Sequence, residues 1–353
     1  MYKFFIIIIL ILIMILILRN IIKIFILNNL IILRGILGPN CYWYNISDKL
    51  LLDRSGINLF YEYKNKYGRF PSTHMFFEKI HLITEKEDVK YILDNSPELF
   101  GVGKLKYKFF KSFMKDNVGV SHGCPWKKRR KVNEYTLETN KLHQFSNLYN
   151  QYTKYSINLF LKKKIIEYND LMNVSKYMCS KIIFNENIIP EYIFNIFKEA
   201  NNVKLFYSSD FKINKTIKNK YIEYNKLYIN NPKDLSFVKL CTEAEKSVYE
   251  IIHQIPHFIF PIVGLYITTI PRLLLILYNH QSILIKLVNE INQINTNNVN
   301  EIYGCEYLRK CIMEILRLNN PVVTTFRTLR KDTKIYNKKF KKDNQILILN
   351  NPI

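Results

Sequence analysis

Apolar residues are concentrated unevenly along the chain, and the first concentration is the densest. "FFIIIILILIMILIL", Phe4 to Leu18, is unbroken, and after Arg19, Asn20 and Lys23 a second patch, "IFILNNLIIL", extends it. At about 1.5 Å per helical residue the first run falls short of a hydrocarbon core about 30 Å thick, so a span continues to about Leu27 with Arg19 and Lys23 snorkelling. No small-residue cleavage site follows. Lys3 precedes the run, whereas Arg19, Lys23 and Arg34 follow it, which orients the body of the protein to the cytosolic side. The pattern predicts two parts: residues 1–35 as an uncleaved single-pass N-terminal membrane anchor, and residues 36–353 as one body.

Beyond "RGILGPNCYWY" the periodicity becomes that of a folded domain. In "NLFYEYKNKYGRF" Leu59, Tyr63 and Tyr67 share one face of a short helix that Gly68 closes, and "HMFFEKIHLIT" reads as strand. "EKEDVKYILDNSPELF" is a helix with an acidic first turn, apolar at Val89, Ile92 and Leu93, ending near Ser96 and Pro97. From about Tyr149 to Asn230 helical periodicity recurs with Asn-rich connections. A second strongly apolar stretch runs from Phe258 to Asn279, interrupted by Pro261, Gly264, Pro271 and Arg272. These interruptions, and the amphipathic helix that follows, favour a long core helix over a second span. The fold class expected is mainly α with a minor β region.

Composition changes this picture little. The chain has 353 residues, a formal net charge of +23 and 48% hydrophobic residues. Such a charge attracts polyanions. Lys, Asn, Ile and Tyr are all abundant while alanine occurs only at Ala200 and Ala244, so an AT-rich coding sequence accounts for the balance, and a nucleic-acid partner is not expected. The cysteines, Cys41, Cys124, Cys179, Cys241, Cys305 and Cys311, form no CxxC pair and read as reduced thiols. His253 and His257 have i, i+4 spacing, but Pro256 lies between them and Gln254 stands where a zinc-protease helix carries glutamate. No metal site is expected.

Near the C-terminal end, "MEILRLNNPVVTTFRTLRKD" carries a glutamate three residues before an arginine, a helix-stopping proline, and a further arginine. Glu314 and Arg317 are i, i+3 neighbours able to pair. Pro321, Arg327 and Asp332 follow in order, then a basic turn "KKFKKDNQ" and the strand "ILIL". Upstream, "GCPWKKRRKV" places Trp126 and Arg130 four residues apart. Taken together the series resembles the cytochrome P450 family, with its ExxR helix, later arginine, strand pair and WxxxR helix. "YKNKYGRF" and "EDVKYILDNSPELF" are similar to that family's first two helices, and the resemblance covers the chain from about Gly38 onward.

The resemblance implies a P450-like fold with a heme cofactor and a redox reductase as partner. It implies that Trp126, Arg130 and Arg327 face the heme propionates, and that Glu314 and Arg317 form a buried structural ion pair. An arginine fork suits a carboxylate bidentately. Two departures bear on activity. The family's proton-relaying acid and alcohol fall on "PIVGLY", which has neither, while Thr268 and Thr269 lie about a turn later. The family's iron-ligating cysteine loop lies some hundred residues after ExxR, past Ile353, and none of the six cysteines sits in such a loop. The expectation is a membrane-anchored protein derived from a heme-thiolate monooxygenase, incomplete at its C-terminus and impaired or inactive, with no catalytic residue assigned. A membrane-anchored, non-redox binding module that takes a small apolar ligand, and one part of a split monooxygenase, are the alternatives.

The anchor makes the first prediction: the full chain stays in the membrane pellet through carbonate and high-salt washes, whereas deletion of residues 1–35 releases it. Recovery of wash-resistant protein lacking its first twenty or so residues, detected by N-terminal sequencing, would contradict an uncleaved anchor.

Overall fold

The computed structural model describes residues 58–75, 78–139, 141–194, 214–322 and 324–350. The expected N-terminal anchor lies outside them. The chain divides into two compact units, one containing residues 58–100 and 324–350, the other residues 101–194 and 214–322. Observed content is mainly helical with a small sheet, as the periodicity predicts.

The first unit brings the two ends of the described chain into one sheet. Helix α1 (Asn58–Tyr67) buries Phe60 and Tyr63 and ends at Gly68, whose φ of 83° costs a glycine little. Strands β1 (Ser72–Met75) and β2 (Glu78–Ile83) pair antiparallel, with Ser72 opposite His81. β2 then runs parallel to β7 (Gln345–Leu349), Ile80 opposite Gln345 and Ile83 opposite Ile348. β4 (Thr324–Leu329) pairs antiparallel on the other side of β7, and β3 (Phe100–Val102) flanks β4 at the edge. β7 is therefore central and covered on both faces, which is why Ile346 to Leu349 is an unbroken apolar run. Each of those side chains contributes roughly 1.5–3 kcal/mol by leaving water.

Helix α2 (Lys86–Asp94) contributes Val89 and Ile92 to the core beneath this sheet. Leu93, predicted apolar-face, is 45% exposed. Arg69 grips Asp88 through Nε and Nη2 at 2.8 and 3.0 Å, holding the chain after α1 against α2. The hairpin of β5 (Thr333–Ile335) and β6 (Lys338–Phe340) turns Ile335 and Phe340 inward and its lysines at 334 and 339 outward.

The second unit is helical: α3 (Lys104–Met114), α4 (Gly123–Leu137), α5 (Ser146–Leu161), α6 (Tyr168–Phe184), α7 (Lys215–Asn230) and α8 (Phe237–Ala244) precede α9 (Val248–Phe260). Cys179, Ile183 and Phe184 of α6, Tyr221 of α7, Cys241 of α8 and Ile255 of α9 are fully or almost fully buried in its core. After α9 the backbone widens into a π-turn, Pro261–Leu265, and continues as α10 (Tyr266–Asn279). Proline supplies no N–H and crowds the preceding turn, and a wide turn relieves that strain but frees carbonyls. Ser175 of α6 answers them, its hydroxyl donating to Ile262 and Val263 at 3.1 and 3.2 Å. α11 (Gln281–Asn292), α12 (Val299–Gly304) and α13 (Glu306–Leu318) complete the described unit.

The expected core helix over Phe258–Asn279 needs correction. The buried stretch is α9, Ile251 to Ile259, whereas α10 buries only Leu277 and leaves Leu275 and Tyr278 62% and 72% exposed. α9 packs against α3, α6, α7 and α8, and α10 touches α6, α11 and α13. Among the described residues Val248–Asn279 is the one helix long and apolar enough to cross a membrane, by length and composition.

His81 yields a second prediction. It is 7% exposed, edge-on to Phe340 at 5.0 Å, with Nδ1 unpartnered among the described residues. Burial, then the positive charges of Lys338 and Lys79, push its pKa down to about 3. The neutral ring is the folded form, so its stability contribution is complete above about pH 6.5, the ordinary histidine value, and is lost as pH falls toward the folded value. Urea unfolding across that window is expected to show stability falling with acidification, and His81→Leu to flatten the slope.

Candidate cofactor-binding residues

Helix α4 carries the predicted pair Trp126 and Arg130. Val132, Asn133 and Thr136 form its buried face, and the residue that joins them at helical spacing is Arg129 rather than Arg130. Arg129 is 12% exposed, and its guanidinium donates to Glu250 at 2.8 and 3.0 Å, to Asp116 at 3.1 Å and to the Ser121 hydroxyl at 2.6 Å. Burial opposes its charge, but the Glu250 hydrogen bond and the nearby Glu250 and Asp116 charges outweigh it and raise its pKa. Asp116 also accepts from the Tyr249 hydroxyl at 2.6 Å, and its pKa is lowered: burial opposes ionisation, while Tyr249 and Arg129 prevail.

Gln254 extends the same network. Its amide nitrogen donates to the Asp116 carbonyl at 2.9 Å, and its oxygen accepts from Val118 N and Asn133 Nδ2 at 3.2 and 3.1 Å. The network joins α4, α9 and the loop after α3. Four of the five Arg129 N–H groups are engaged, so this arginine is a structural tie rather than a ligand clamp. The signal for it was present as the Arg129, Asn133, Thr136 spacing, but its carboxylate partner Glu250 is 121 residues away.

Trp126 and Arg130 occupy another face of α4. Trp126 is half-buried, and Arg130 is exposed and donates to Glu134 at 2.7 Å, one turn along the helix.

Glu314 and Arg317 lie on α13 and make two hydrogen bonds, at 2.8 and 2.6 Å. The expectation of burial is overturned: the side chains of Arg317 and Glu314 are 61% and 54% exposed. α13 has a strongly one-sided pattern whose buried residues are Cys311 and Ile315, and Glu314 and Arg317 lie off that face. What positions α13 is Glu290 of α11, whose carboxylate accepts the Tyr307 and Leu308 backbone N–H groups at 2.8 Å each. A carboxylate there satisfies donors that the helix cannot.

Arg327, in the other unit, stands on β4 opposite Ile346. It is half-buried, and its contacts are weak or local: Nε to Ser96 Oγ at 3.4 Å and Nη1 to the Phe326 carbonyl at 3.1 Å. Among the described residues no carboxylate pairs with it. Burial alone lowers its pKa. A desolvated guanidinium with Nη2 unengaged is equipped to receive an anion, and the planar fork favours a carboxylate.

The described cysteines offer no comparable fit to an iron. Cys179 and Cys241 are fully buried inside helices, with burial pushing the Cys241 thiol up to about 12 and the Cys179 thiol higher. Cys305 and Cys311 are pushed up by burial and then by the Glu290 charge. Cys124 is exposed in the first turn of α4, and Cys41 lies outside the described residues. The stretch Pro261–Tyr266, expected to match a proton relay, is the π-turn and the first residue of α10, and Thr268 on α10 donates to the Gly264 carbonyl at 3.0 Å.

A family model described as Cytochrome P450 matches residues 193–351. Among solved structures, one titled "Retinoic acid bound cyanobacterial CYP120A1" aligns with a TM-score of 0.71 at 16% identity, covering 84% of this chain and 73% of that one. A search of curated proteins found no match. The fold is cytochrome P450-like.

The Arg129 tie gives the third prediction. Arg129→Leu leaves Glu250 and Asp116 without their shared cation and is expected to cost about 3 kcal/mol in urea unfolding. Arg130→Leu is expected to cost no more than about 0.5 kcal/mol. The double variant Arg129→Leu, Glu250→Leu should lose less than the sum of the single losses.

Proposed function

We propose that this chain is a membrane-anchored, P450-like protein derived from a heme-thiolate monooxygenase, which retains a propionate anchor while its described cysteines offer the iron no thiolate. The observation that carries the reading is Arg327: a half-buried guanidinium with no carboxylate partner among the described residues. Within the helical unit, Trp126 and Arg130 share one helical face, where exchanging Glu134 for a carboxylate would suit the Arg130 fork. Heme carrying an axial thiolate supplies oxygen activation, and the protein's part is to hold and orient it. The carboxylate end of that cofactor fits residues of this chain. The iron end does not fit the described cysteines, whose thiols are buried in helices or sit on an exposed helical turn.

On this reading the described cysteines supply no thiolate to the iron, and a reductase is a partner where a ligand loop completes the site. Residues 1–35 hold the body at the cytosolic face of a bilayer. A membrane-anchored, non-redox module binding a small apolar ligand is the second reading, favoured by the exposed Leu274, Leu275 and Tyr278 of α10.

Spectroscopy of the purified full chain tests this. Heme titration is expected to show binding that Arg327→Leu weakens by about 10- to 100-fold, the value of a charge-assisted hydrogen bond. Reduced protein under carbon monoxide should lack the red-shifted Soret band of a thiolate complex, and substrate turnover with a reductase should be absent. A thiolate-type band would overturn the proposal, and Cys→Ala variants would then identify the sulfur.

A further inference from the structure

We infer that the β5–β6 hairpin is a docking surface for anionic lipid headgroups, with Tyr336 as its interfacial aromatic. This rests on the membrane-anchored reading above and says where the body meets the bilayer. Six exposed cations, Arg330, Lys331, Lys334, Lys339, Lys341 and Lys342, fall within this hairpin and its flanks. None of the six side chains forms an ion pair among the described residues. The nearby Asp332 carboxylate is engaged by a backbone donor, Lys342 N at 2.7 Å.

The register sharpens the point. Lys334 and Lys339 stand directly opposite each other across the two strands, both exposed, and like charges in that position repel. An anion between them turns the repulsion into attraction. At the turn, Tyr336 adopts a left-handed backbone, φ 50°, which is uncommon for a bulky residue. The Arg69 guanidinium lies 4.2 Å from the centre of its ring and is itself gripped by Asp88, so the aromatic is held in place while 63% exposed.

An exposed aromatic with a polar tip, flanked along the chain by lysines, matches the chemistry of a bilayer interface, where tyrosine sits at headgroup level and each nearby lysine is attracted to anionic lipid. Single-stranded nucleic acid, the competing polyanion, requires successive stacking platforms along a groove. The hairpin presents one fixed ring. The apolar run Phe4 to Leu18 in the polypeptide leading into this unit adds to the case for lipid.

The test is lysine-modification footprinting of the full chain, read by mass spectrometry, with vesicles of phosphatidylcholine alone or with about 30% phosphatidylserine. On phosphatidylserine vesicles at about 0.1 M salt the hairpin lysines are expected to react about tenfold more slowly, recovering when added salt screens the surface. The same lysines on phosphatidylcholine vesicles serve as the control. In the variant K331Q/K334Q/K339Q/K341Q the remaining Lys342 should react equally on both vesicles. Removing the Lys334–Lys339 repulsion should leave that variant at least as stable, as a urea melt would verify.

Unslowed hairpin lysines in protein that sediments with phosphatidylserine vesicles overturn the docking surface and leave the anchor reading intact. Slowing on phosphatidylserine vesicles, without sedimentation on phosphatidylcholine, supports the surface and sinks the anchor. Protection by polyuridylate but not by vesicles overturns the lipid assignment in favour of nucleic acid.

Discussion

A guanidinium out of water needs its counter-ions in place, and the second unit is arranged around one that has them. Arg129 draws the start of α9 through Glu250, the loop after α3 through Asp116 and Ser121, and its own helix α4 into one hydrogen-bonded cluster. Gln254, one turn beyond Glu250, closes the cluster onto the backbone at Val118 and Asp116. With α9 held at that end, its apolar face meets α6, α7 and α8. The proline-containing continuation is then carried across a π-turn whose carbonyls Ser175 satisfies.

The chain's excess of positive charge is distributed into three physically different states. Arg129 is buried and satisfied. Arg327 is half-buried with no carboxylate partner, a state that costs free energy unless an anion arrives, and this is what makes it the best candidate for a cofactor carboxylate. The hairpin lysines are exposed and mutually repelling, so their chemistry is that of a surface that meets an anionic surface. A net charge of +23 says nothing about this partition, because it counts the three alike.

Motif order made the family resemblance legible, while the surroundings of single residues came only with the fold. The ExxR pair forms as the i, i+3 spacing predicts, yet it is exposed, and α13 takes its position from Glu290 instead. In the basic helix the four-residue spacing pointed to Trp126 and Arg130, while the residue buried most deeply in a charge network was their neighbour Arg129. A helix places adjacent residues about 100° apart, so Arg129 and its neighbour Arg130 meet different surroundings.

Local physics in the sequence determined the elements whose causes are local: α1 stopped by Gly68, α2 with its acidic first turn, the unbroken apolar strand β7, and the helical middle. Tertiary structure decided which apolar segment became core. Phe258–Asn279 is as apolar as a buried helix, but burial depends on what packs against it, and the partners of α9 gather on Ile251 to Ile259 while α10 is left only partly covered. It also decided which charges are paired, since Arg129 and Glu250 lie 121 residues apart and only the folded chain brings them to 2.8 Å. Periodicity encodes a face and says nothing of its partner, which is why the elements were readable and the network was not.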